Sequence, residues 1–341
     1  MSVLVLPILI ITFVISFVMV GYVRRSALNR NILDVPNARS SHTVPTPRGG
    51  GIAIVVAFVI AISSLLASHL ITQKIWLVLV ISSSVVAGVG HLDDRRTLRA
   101  STRFAVHVIA SVFVVCMFGG IPAPELIKWG LHGFWFRSGF SVLVLVWATN
   151  LFNFMDGIDG IAGSESFFMS AGGGWLNWLN GGDSGITATL LSLSAASLGF
   201  LPWNWPPARV FMGDVGSGFL GFIVSFLLVL TSSLGKVPIE VLPILGGVFL
   251  IDATTTLFRR IIRGDRWIEP HRSHAYQVLA RRLGGHKPVT LIVTAINLFW
   301  LLPWAYVTNR FPSDSQLCVI AALIPLVILS IVVGAGKRDK C

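Results

Sequence analysis

The sequence predicts an all-α bundle of helices embedded in a membrane. Hydrophobic residues make up 54% of the chain and charged residues only 12%, which is about half the charged fraction of a typical soluble domain. The mean hydropathy is +0.79. Eleven apolar stretches reach or approach the roughly 18–20 residues that cross a bilayer. They are too long and continuous for barrel strands, so helices are the structure that satisfies their backbone inside lipid.

The eleven predicted spans occupy most of the chain, and ten is the alternative count because the fifth and sixth are short. They cover residues 2–23, 49–70, 75–90, 104–120, 140–151, 167–179, 186–203, 217–234, 238–258, 289–308 and 317–336. The first stretch has neither a positively charged start nor a small-residue cleavage site, so we expect a retained helix rather than a signal peptide. We expect residues 1–341 to form a single integral-membrane domain.

Positive charge separates the predicted loops into two sets. Of the 26 Lys and Arg residues, 21 fall in residues 24–48, 91–103, 150–166, 203–216, 259–288 and 337–341. The alternate loops hold the other five. Because basic loops stay in the cytoplasm, the N-terminus is predicted outside and the C-terminus inside. This distribution also accounts for the net charge of +11 without a nucleic-acid partner.

Ten of the 15 acidic residues fall in the loops that are predicted to be cytoplasmic. Nothing in the folding of a bundle requires this, and several of the acids form tight clusters with glycine, which indicates a functional site on that face. The three cysteines, Cys116, Cys318 and Cys341, lie in predicted helices or end the chain. They indicate neither a disulfide framework nor a cysteine metal site.

Asp93 and Asp94 are adjacent carboxylates at the inner end of the third predicted span. Neighbouring like charges repel unless a cation or an arginine lies between them. Either Arg95 and Arg96 neutralise the pair at an ordinary helix end, or the pair belongs to a Mg²⁺-diphosphate site or supplies a base.

Asn150, Asn153 and Asp156 recur at a spacing of three after the fifth predicted span, so they share one face of a helix. Asp159 follows among glycines, which let a ligand approach the backbone closely. These polar groups beside the membrane are costly to hold without a partner. A ligand site is favoured, with a polar helix cap as the alternative.

Asp214 precedes the eighth predicted span in a glycine-rich segment. Backbone N–H groups at the start of such a helix can face an anion. Phe211 lies just before it and either sits at the lipid interface or stacks on a nucleobase. Asn204 lies seven residues earlier.

His271, Arg272 and His274 lie in the longest predicted cytoplasmic loop, residues 259–288. Histidine and arginine together suit phosphate charge. Zinc is disfavoured because no third soft ligand lies nearby. Binding of the loop arginines to anionic lipid headgroups is the alternative.

The first predicted cytoplasmic loop carries His42 and Arg48. Two prolines stiffen this loop, and the three glycines after Arg48 allow close approach to its backbone. Taken alone, this pattern is a weak signal of a binding site.

Taken together and in this order, five motifs resemble those of the polyprenyl-phosphate N-acetylhexosamine-1-phosphate transferases, the superfamily of MraY and WecA. The motifs are PTPRGGG, LDDR, NxxNFxDGxDG, PARVFMGDVGS and HRSHAYQ. The resemblance spans residues 34–277, and the combination is highly specific although each motif alone is not. The version PHRSHAYQ is most similar to the WbpL-like enzymes that initiate O-antigen or lipopolysaccharide chains on undecaprenyl phosphate.

Two departures from the MraY branch bear on the substrate. Thr97 stands where that branch has a lysine, and His271 and His274 are spread apart where it has consecutive histidines. Both favour a simple UDP-N-acetylhexosamine over a peptidoglycan precursor. The sequence does not identify the sugar, since GlcNAc, FucNAc and QuiNAc all fit. It also does not assign roles to the individual histidines.

The resemblance implies a Mg²⁺-dependent transferase, with Mn²⁺ as an alternative ion, that moves a sugar 1-phosphate from a UDP-sugar to undecaprenyl phosphate at the cytoplasmic face of a bacterial inner membrane. It implies a metal ligand at Asp214, assisted by Asp94. It implies catalytic roles for Asp93, Asp94, Asp156, His271 and His274. It implies substrate contacts from His42, Arg48, Asn150, Asn153, Asp159, Asn204, Phe211 and Arg272, with Phe211 and Asn204 on the uracil.

Direct in-line attack by the lipid phosphate is the expected mechanism, because a phosphate monoester is already largely a dianion at neutral pH and needs no strong base. A covalent route through Asp93 is the alternative. The rival functions are a transporter of an anionic solute, whose site lies near the bilayer midplane, and a lipid-binding scaffold without catalysis. The sequence is compatible with a homodimer.

Overall fold

The computed structural model describes residues 3–36, 44–121, 133–265 and 271–337. In these ranges the chain is almost entirely helical. The α-helices are α1 Val5–Asn29, α2 Gly51–Ala67, α3 Gln73–Arg96, α4 Ala100–Phe118, α5 Phe134–Met155, α6 Ile161–Leu179, α7 Ser184–Asn204, α8 Asp214–Ser233, α9 Val241–Leu245, α10 Gly247–Ile262, α11 Ala275–Arg282, α12 His286–Ile296, α13 Leu302–Arg310 and α14 Ser315–Val333. A π-helical segment, Asn297–Leu301, joins α12 to α13, and a 3₁₀ turn, Pro312–Asp314, precedes α14.

Eight helical segments of the described chain are long and apolar enough to cross a membrane, which confirms the predicted all-α polytopic fold. They are Val5–Asn29, Gln73–Arg96, Ala100–Phe118, Phe134–Met155, Ser184–Asn204, Asp214–Ser233, His286–Arg310 and Pro312–Val333. The other predicted spans coincide with α2, which is apolar but has 17 residues, with α6, and with α9 and α10 together. Every predicted stretch therefore falls on helix, whereas the count of eleven crossings stays a prediction.

Helix α8 is the centre of the bundle, because its apolar part is completely buried. It packs against α3 and α5, with α2 and α6 also in contact. In contrast, α1 and α14 bury less than a third of their apolar parts and expose large side chains such as Leu6 and Val332. An apolar outer surface around a buried helix is what a bundle surrounded by lipid requires.

Two glycines let α2 and α3 approach the start of α8. A Cβ atom on Gly90 of α3 would lie 2.3 Å from the backbone oxygen of Asp214. A Cβ atom on Gly51 of α2 would lie 2.3 Å from the Cα of Gly216. Small residues at helix contacts allow backbones to meet closely in membrane proteins. The end of α3 and the start of α2 are therefore fixed directly against the N-terminus of α8.

A short antiparallel pair of strands, β1 Leu33–Asp34 and β2 Thr46–Pro47, organises the first predicted inner loop. The backbone after β2 is also tied to the segment before α8. The N–H of Phe211 donates to the carbonyl of Pro47 over 2.8 Å, and the N–H of Gly50 donates to the carbonyl of Phe211 over 2.9 Å. The all-α expectation did not include this pairing, which carries Arg48 to the start of α8.

Candidate active site

The carboxylate of Asp94, near the end of α3, caps the start of α8. It accepts hydrogen bonds from the backbone N–H groups of Asp214 over 2.9 Å and of Val215 over 3.2 Å. The first N–H groups of a helix have no partner within the helix, and a negative charge there is favourable. Asp94 therefore fixes α3 to α8 and places Asp214 beside it.

Arg48 bridges Asp94 and Asp214 from the loop that precedes α2. Its Nε lies 2.9 Å from Oδ1 of Asp94, and its Nη2 lies 2.8 Å from Oδ1 of Asp214. Charge–charge contact with several carboxylates raises the pKa of the Arg48 guanidinium, although burial acts in the opposite direction and is the largest single effect. Arg48 is therefore held as a cation at the centre of the acidic cluster.

Arg103 of α4 bridges Asp214 and Asp93, and it contacts the Asp214 oxygen that Arg48 does not. Its Nη1 lies 2.6 Å from Oδ2 of Asp93 and 2.6 Å from Oδ2 of Asp214, while Oδ1 of Asp93 accepts the N–H of Leu98. The two aspartates of the LDDR motif are thus neutralised by Arg48 and Arg103. The alternative in which the adjacent Arg95 and Arg96 neutralise the pair does not apply, because both lie exposed at the end of α3.

Asp156 ends α5 and faces the same cluster. Among the described residues no group donates a hydrogen bond to its carboxylate, and Asn153, one turn earlier, donates to Ser217 Oγ over 3.3 Å. Burial raises the pKa of Asp156 well above its ordinary value, and the negative charge of Asp214 raises it further while Arg48 opposes the shift. Among the described residues, Asp156 therefore forms no direct ion pair, although the charge of Arg48 acts on it.

Arg48, Asp156 and Asp214 line a cleft with a volume of about 240 Å³, whereas Asp93, Asp94 and Arg103 lie behind its lining. Seven of the residues selected from the sequence line it, namely Arg48, Asn153, Asp156, Asp159, Asn204, Phe211 and Asp214. Residues that the sequence analysis did not select also line it, and they include Asp34, Ser217, Gln277 and His286. We call this site the carboxylate cleft.

Asp159 and Asn204 brace the loops of the carboxylate cleft. Asp159 Oδ2 accepts the N–H of Ala208 over 3.0 Å, and Oδ1 lies 3.1 Å from Nδ1 of His286. Asn204 is buried, accepts the N–H of Gly160 over 2.9 Å and donates to the carbonyl of Val210 over 2.9 Å. Both residues line the cleft, but much of their hydrogen-bonding capacity is used within the protein.

Several selected residues are placed elsewhere. The amide of Asn150 donates to the carbonyl of Val146 over 2.7 Å and does not line the carboxylate cleft. His274 is buried at the start of α11, 3.4 Å from Asp252. His271 and Arg272 line a second cleft, which shares no lining residue with the first. His42 lies outside the described residues.

The His motif is held in place by Asp252, which the sequence analysis did not select as a site residue. Asp252 of α10 accepts the N–H groups of Ala275 over 2.8 Å and of Tyr276 over 2.9 Å. It therefore caps α11, a helix within the segment that was predicted as a loop. The hydroxyl of Tyr276 then donates to the carbonyl of Phe154 over 3.0 Å, which connects α11 to the last turn of α5.

Arg103 is the most important residue that the sequence analysis missed. It is the only Asp, Glu, Lys or Arg in α4. A lone charge one turn inside an apolar span is expensive and is a functional candidate by default. That signal was present in the sequence, but the residue was assigned to the loop that precedes the helix.

The carboxylate cleft contains oxygen donors of the kind that a magnesium ion takes. Asp156 accepts no hydrogen bond from the described residues, whereas both oxygens of Asp214 are paired with arginines, Oδ1 with Arg48 and Oδ2 with Arg103. Among the described residues there is no ready-made group of three or more His, Cys, Asp or Glu side chains for a metal.

The fold and the site define the class, a multi-pass membrane protein with a polar site of carboxylates and arginines where several helices end. The family model for glycosyl transferase family 4 matches residues 76–232, which run from α3 to α8 and include Asp93, Asp94, Asp156 and Asp214. This match supports the resemblance of the chain to the MraY/WecA-like superfamily of polyprenyl-phosphate N-acetylhexosamine-1-phosphate transferases.

Curated bacterial proteins are similar over most of the chain. A probable undecaprenyl-phosphate N-acetylglucosaminyl 1-phosphate transferase of Bacillus subtilis is 29% identical over 86% of this chain and 83% of its own length. The undecaprenyl-phosphate alpha-N-acetylglucosaminyl 1-phosphate transferase of Salmonella typhi is 29% identical over 84% and 79%. The decaprenyl-phosphate N-acetylglucosaminephosphotransferase of Mycobacterium tuberculosis is 27% identical over 82% and 76%.

Proposed function

We propose that this protein transfers an N-acetylhexosamine 1-phosphate from a UDP-sugar to a polyprenyl phosphate and releases UMP. One observation carries the proposal. Asp93, Asp94, Asp156 and Asp214, from three separate helices, meet around Arg48 and Arg103. The names of the relatives support the same reaction class, since each describes transfer to a polyprenyl phosphate.

The difficulty in this reaction is charge, because one phosphorylated reactant must approach another. Catalysis of phosphoryl transfer consists mainly of positioning and of neutralising charge on the phosphate oxygens. Arg48 and Arg103 supply two fixed cations, and Asp94 holds the backbone that carries Asp214. The carboxylates in turn hold the guanidinium groups in place before any substrate binds.

The proposed reaction uses a magnesium ion. Asp214 and Asp156 are the residues that would hold it, and it would supply further neutralisation of phosphate charge. Burial raises the pKa of Asp156, and a cation beside it would favour its ionised form, because a nearby positive charge stabilises a carboxylate.

The geometry supports direct transfer over a covalent aspartyl route. Oδ1 of Asp93 accepts the N–H of Leu98 and Oδ2 is paired with Arg103. Asp93 is about 10% exposed and does not line the carboxylate cleft. A nucleophile needs an accessible oxygen, so we propose that the lipid phosphate oxygen attacks the sugar-linked phosphorus and that UMP leaves with the bonding electron pair.

The donor is proposed to bind near Phe211, where the aromatic ring can stack on a base. GlcNAc is the sugar we would test first, because the relatives' names specify it, with FucNAc and QuiNAc as the alternatives. The basic loops support an active site on the cytoplasmic side of a bacterial inner membrane, where the product would begin an O-antigen or a related surface glycan.

The test is an assay of purified protein in lipid nanodiscs with Mg²⁺, undecaprenyl phosphate and a panel of UDP-sugars. UMP and lipid-linked sugar should appear together and in equal amounts. The Asp214→Asn variant should lose activity, whereas the matched variant Asp314→Asn, at an exposed position before α14, should retain it. A labelled phospho-enzyme that survives denaturation and forms from UDP-sugar alone would overturn the direct route.

The same assay separates the rival functions. A transporter of an anionic solute would release no UMP, and a lipid-binding scaffold would show no dependence on Mg²⁺. The clustering of acids at helix ends argues against a transporter, since transporter sites lie near the middle of the bilayer. Failure to form UMP with any UDP-sugar would reject the proposal.

A further inference from the structure

Glu165 and Asn297 form a buried polar pair outside the carboxylate cleft. Glu165 lies just beyond the first turn of α6 and is fully buried, and Asn297 begins the π-helical segment and is 2% exposed. The sequence analysis placed residue 165 in a predicted cytoplasmic loop. A carboxyl group away from water is costly to hold as an unpaired charge, so the contacts of Glu165 decide its protonation state.

One hydrogen bond joins the two side chains. Nδ2 of Asn297 donates to Oε2 of Glu165 over 2.6 Å. The remaining oxygens, Oε1 of Glu165 and Oδ1 of Asn297, are buried and have no hydrogen-bond partner in the described part of the chain. No cationic side chain in that part pairs with Glu165. An ionised carboxylate and an amide oxygen can only accept hydrogen bonds, so both oxygens lack a donor.

A single hydrogen atom on Glu165 supplies the missing donor. A carboxylic acid and a primary amide form a ring of two hydrogen bonds, in which the acid O–H donates to the amide oxygen and the amide N–H donates to the acid carbonyl. The neutral acid also avoids the cost of a buried charge. Rotating the amide by half a turn does not remove the requirement, because its oxygen would then contact Oε2 and two oxygens in contact also need a proton between them.

The pair joins the same two parts of the fold that form one wall of the carboxylate cleft. Oγ1 of Thr290 in α12 donates to the carbonyl of Asp159 over 2.8 Å, and His286 at the start of α12 lies 3.1 Å from Oδ1 of Asp159. Asn297 follows Thr290 by about two helical turns, and the π-helical segment that it begins packs against α6. The Glu165–Asn297 pair is therefore a second connection between these elements, further from the cleft.

We infer that Glu165 is a carboxylic acid in the folded protein, and that its ring of two hydrogen bonds with Asn297 positions α12 against the loop that carries Asp159. The ligand of this buried site is one proton, taken from water. The protonated pair is independent of the transfer reaction, whereas the positioning role rests on the proposed function. A monovalent cation between Oε1 and Oδ1 is the other occupant that two oxygens accept, and the experiment separates the two.

The first measurement is the infrared difference spectrum between the wild type and Glu165→Gln, recorded on the purified full-length chain in lipid nanodiscs at neutral pH. The wild type should show the carbonyl stretch of a protonated carboxylic acid, which shifts in D₂O, and Glu165→Gln should lack it. The control Asp314→Asn, at an exposed position, should keep this band. A Glu165→Gln spectrum that loses only the bands of an ionised carboxylate would overturn the inference.

The second measurement is the thermal unfolding midpoint in detergent. Glu165→Gln can still form two hydrogen bonds with Asn297 and should unfold like the wild type. Glu165→Leu leaves the amide of Asn297 unpaired and should unfold roughly 2–4 °C lower or more. The double variant Glu165→Leu/Asn297→Leu should recover part of this loss, because replacing both partners leaves no unpaired polar group.

Two results of the unfolding experiment would contradict the protonated pair. One is a midpoint for Glu165→Gln as low as that of Glu165→Leu. The other is a wild-type midpoint that rises when Na⁺ or K⁺ replaces choline at constant ionic strength while Glu165→Gln does not respond, which would identify a bound cation.

The positioning role is measured as UMP release. Glu165→Leu should lower kcat/KM by up to about 100-fold, because a misplacement of about 1 Å in a site is enough for such a loss, and Glu165→Gln should restore most of it. A kcat/KM for Glu165→Leu equal to that of the wild type would reject the positioning role. Absence of UMP release from the wild type would reject the proposed function and the positioning role with it, whereas the infrared band would still decide the state of Glu165.

Discussion

The guanidinium of Arg48 lies 2.8 Å from the carboxylate of Asp214, although 166 positions separate the two residues in the chain. The same guanidinium contacts Asp94, and Arg103 holds the other oxygen of Asp214. One aspartate thus joins two arginines that come from different sides of α8. This arrangement orders the charged groups before substrate binds, which avoids reorganisation during the reaction.

Replacing Arg48 by lysine should reduce turnover about 100-fold or more, the range that is typical for loss of one group that stabilises the transition state. Lysine keeps the positive charge, but it lacks the planar guanidinium whose nitrogens hydrogen-bond Asp94 and Asp214 at the same time. Turnover is measured as UMP release, with Arg25→Lys as the control. Retention of wild-type turnover in Arg48→Lys would show that only the charge at this position matters.

Replacing Arg103 by glutamine should lower both stability and activity. Asp93 and Asp214 would then lie close together without the cation that separates them, and a partly buried charge that loses its partner costs about 1–3 kcal/mol. The measurement is the thermal unfolding midpoint in detergent, with the exposed Arg99→Gln as the control. Added Mg²⁺ should restore part of the lost stability, because it replaces the missing positive charge.

The sequence predicted much of this site because its acids lie at the ends of apolar stretches, and alternation of the spans places those ends on one side. It could not show which cation pairs with which acid. Arg95 and Arg96 are adjacent to Asp93 and Asp94, but helix geometry directs them outward, and Arg103 from the next helix lies closer. Partners of this kind depend on packing between helices, which the sequence alone does not specify.

The His motif, residues 271–277, also has contacts that the sequence alone does not specify. The resemblance implied catalytic roles for both His271 and His274, yet the backbone path decides where each side chain lies. Asp252 lies within an apolar span, and it caps α11 and holds His274 in the interior. His271, three residues earlier, lines a second cleft instead. Their roles in transfer stay predictions that the assay of each variant would test.

Replacing Gly90 by alanine should destabilise the protein and abolish most activity. The added methyl group would lie 2.3 Å from the backbone oxygen of Asp214, so α3 and α8 must separate and Asp94 would lose its hold on the start of α8. Overpacking of this kind typically costs about 1–3 kcal/mol. Gly88→Ala is the matched control, because a Cβ atom there meets no atom within 4 Å. Equal unfolding midpoints for the two variants would contradict the close contact.

Replacing Asp156 by asparagine should stabilise the protein at neutral pH when divalent ions are removed with EDTA. Burial, followed by the charge of Asp214, raises the pKa of Asp156 well above its unfolded value of 3.8. A raised pKa means that the folded protein holds the proton more tightly than the unfolded chain does. Stability is therefore complete below the unfolded pKa and falls as pH rises from about 4 towards the folded pKa.

Asparagine at position 156 cannot ionise, so the Asp156→Asn variant does not lose stability in this way as the pH rises. The difference in unfolding midpoint between Asp156→Asn and the wild type should therefore grow as pH rises from 4.5 to 8, corresponding to about 1 kcal/mol for each unit of raised pKa. Mg²⁺ should shrink the difference, because a cation that binds the ionised carboxylate stabilises the wild type alone. Asp314→Asn serves as the exposed control. A wild type that is more stable than Asp156→Asn at pH 8 in EDTA would mean that the carboxylate is ionised and paired within the protein, and Asp156 would then have no need of a metal ion.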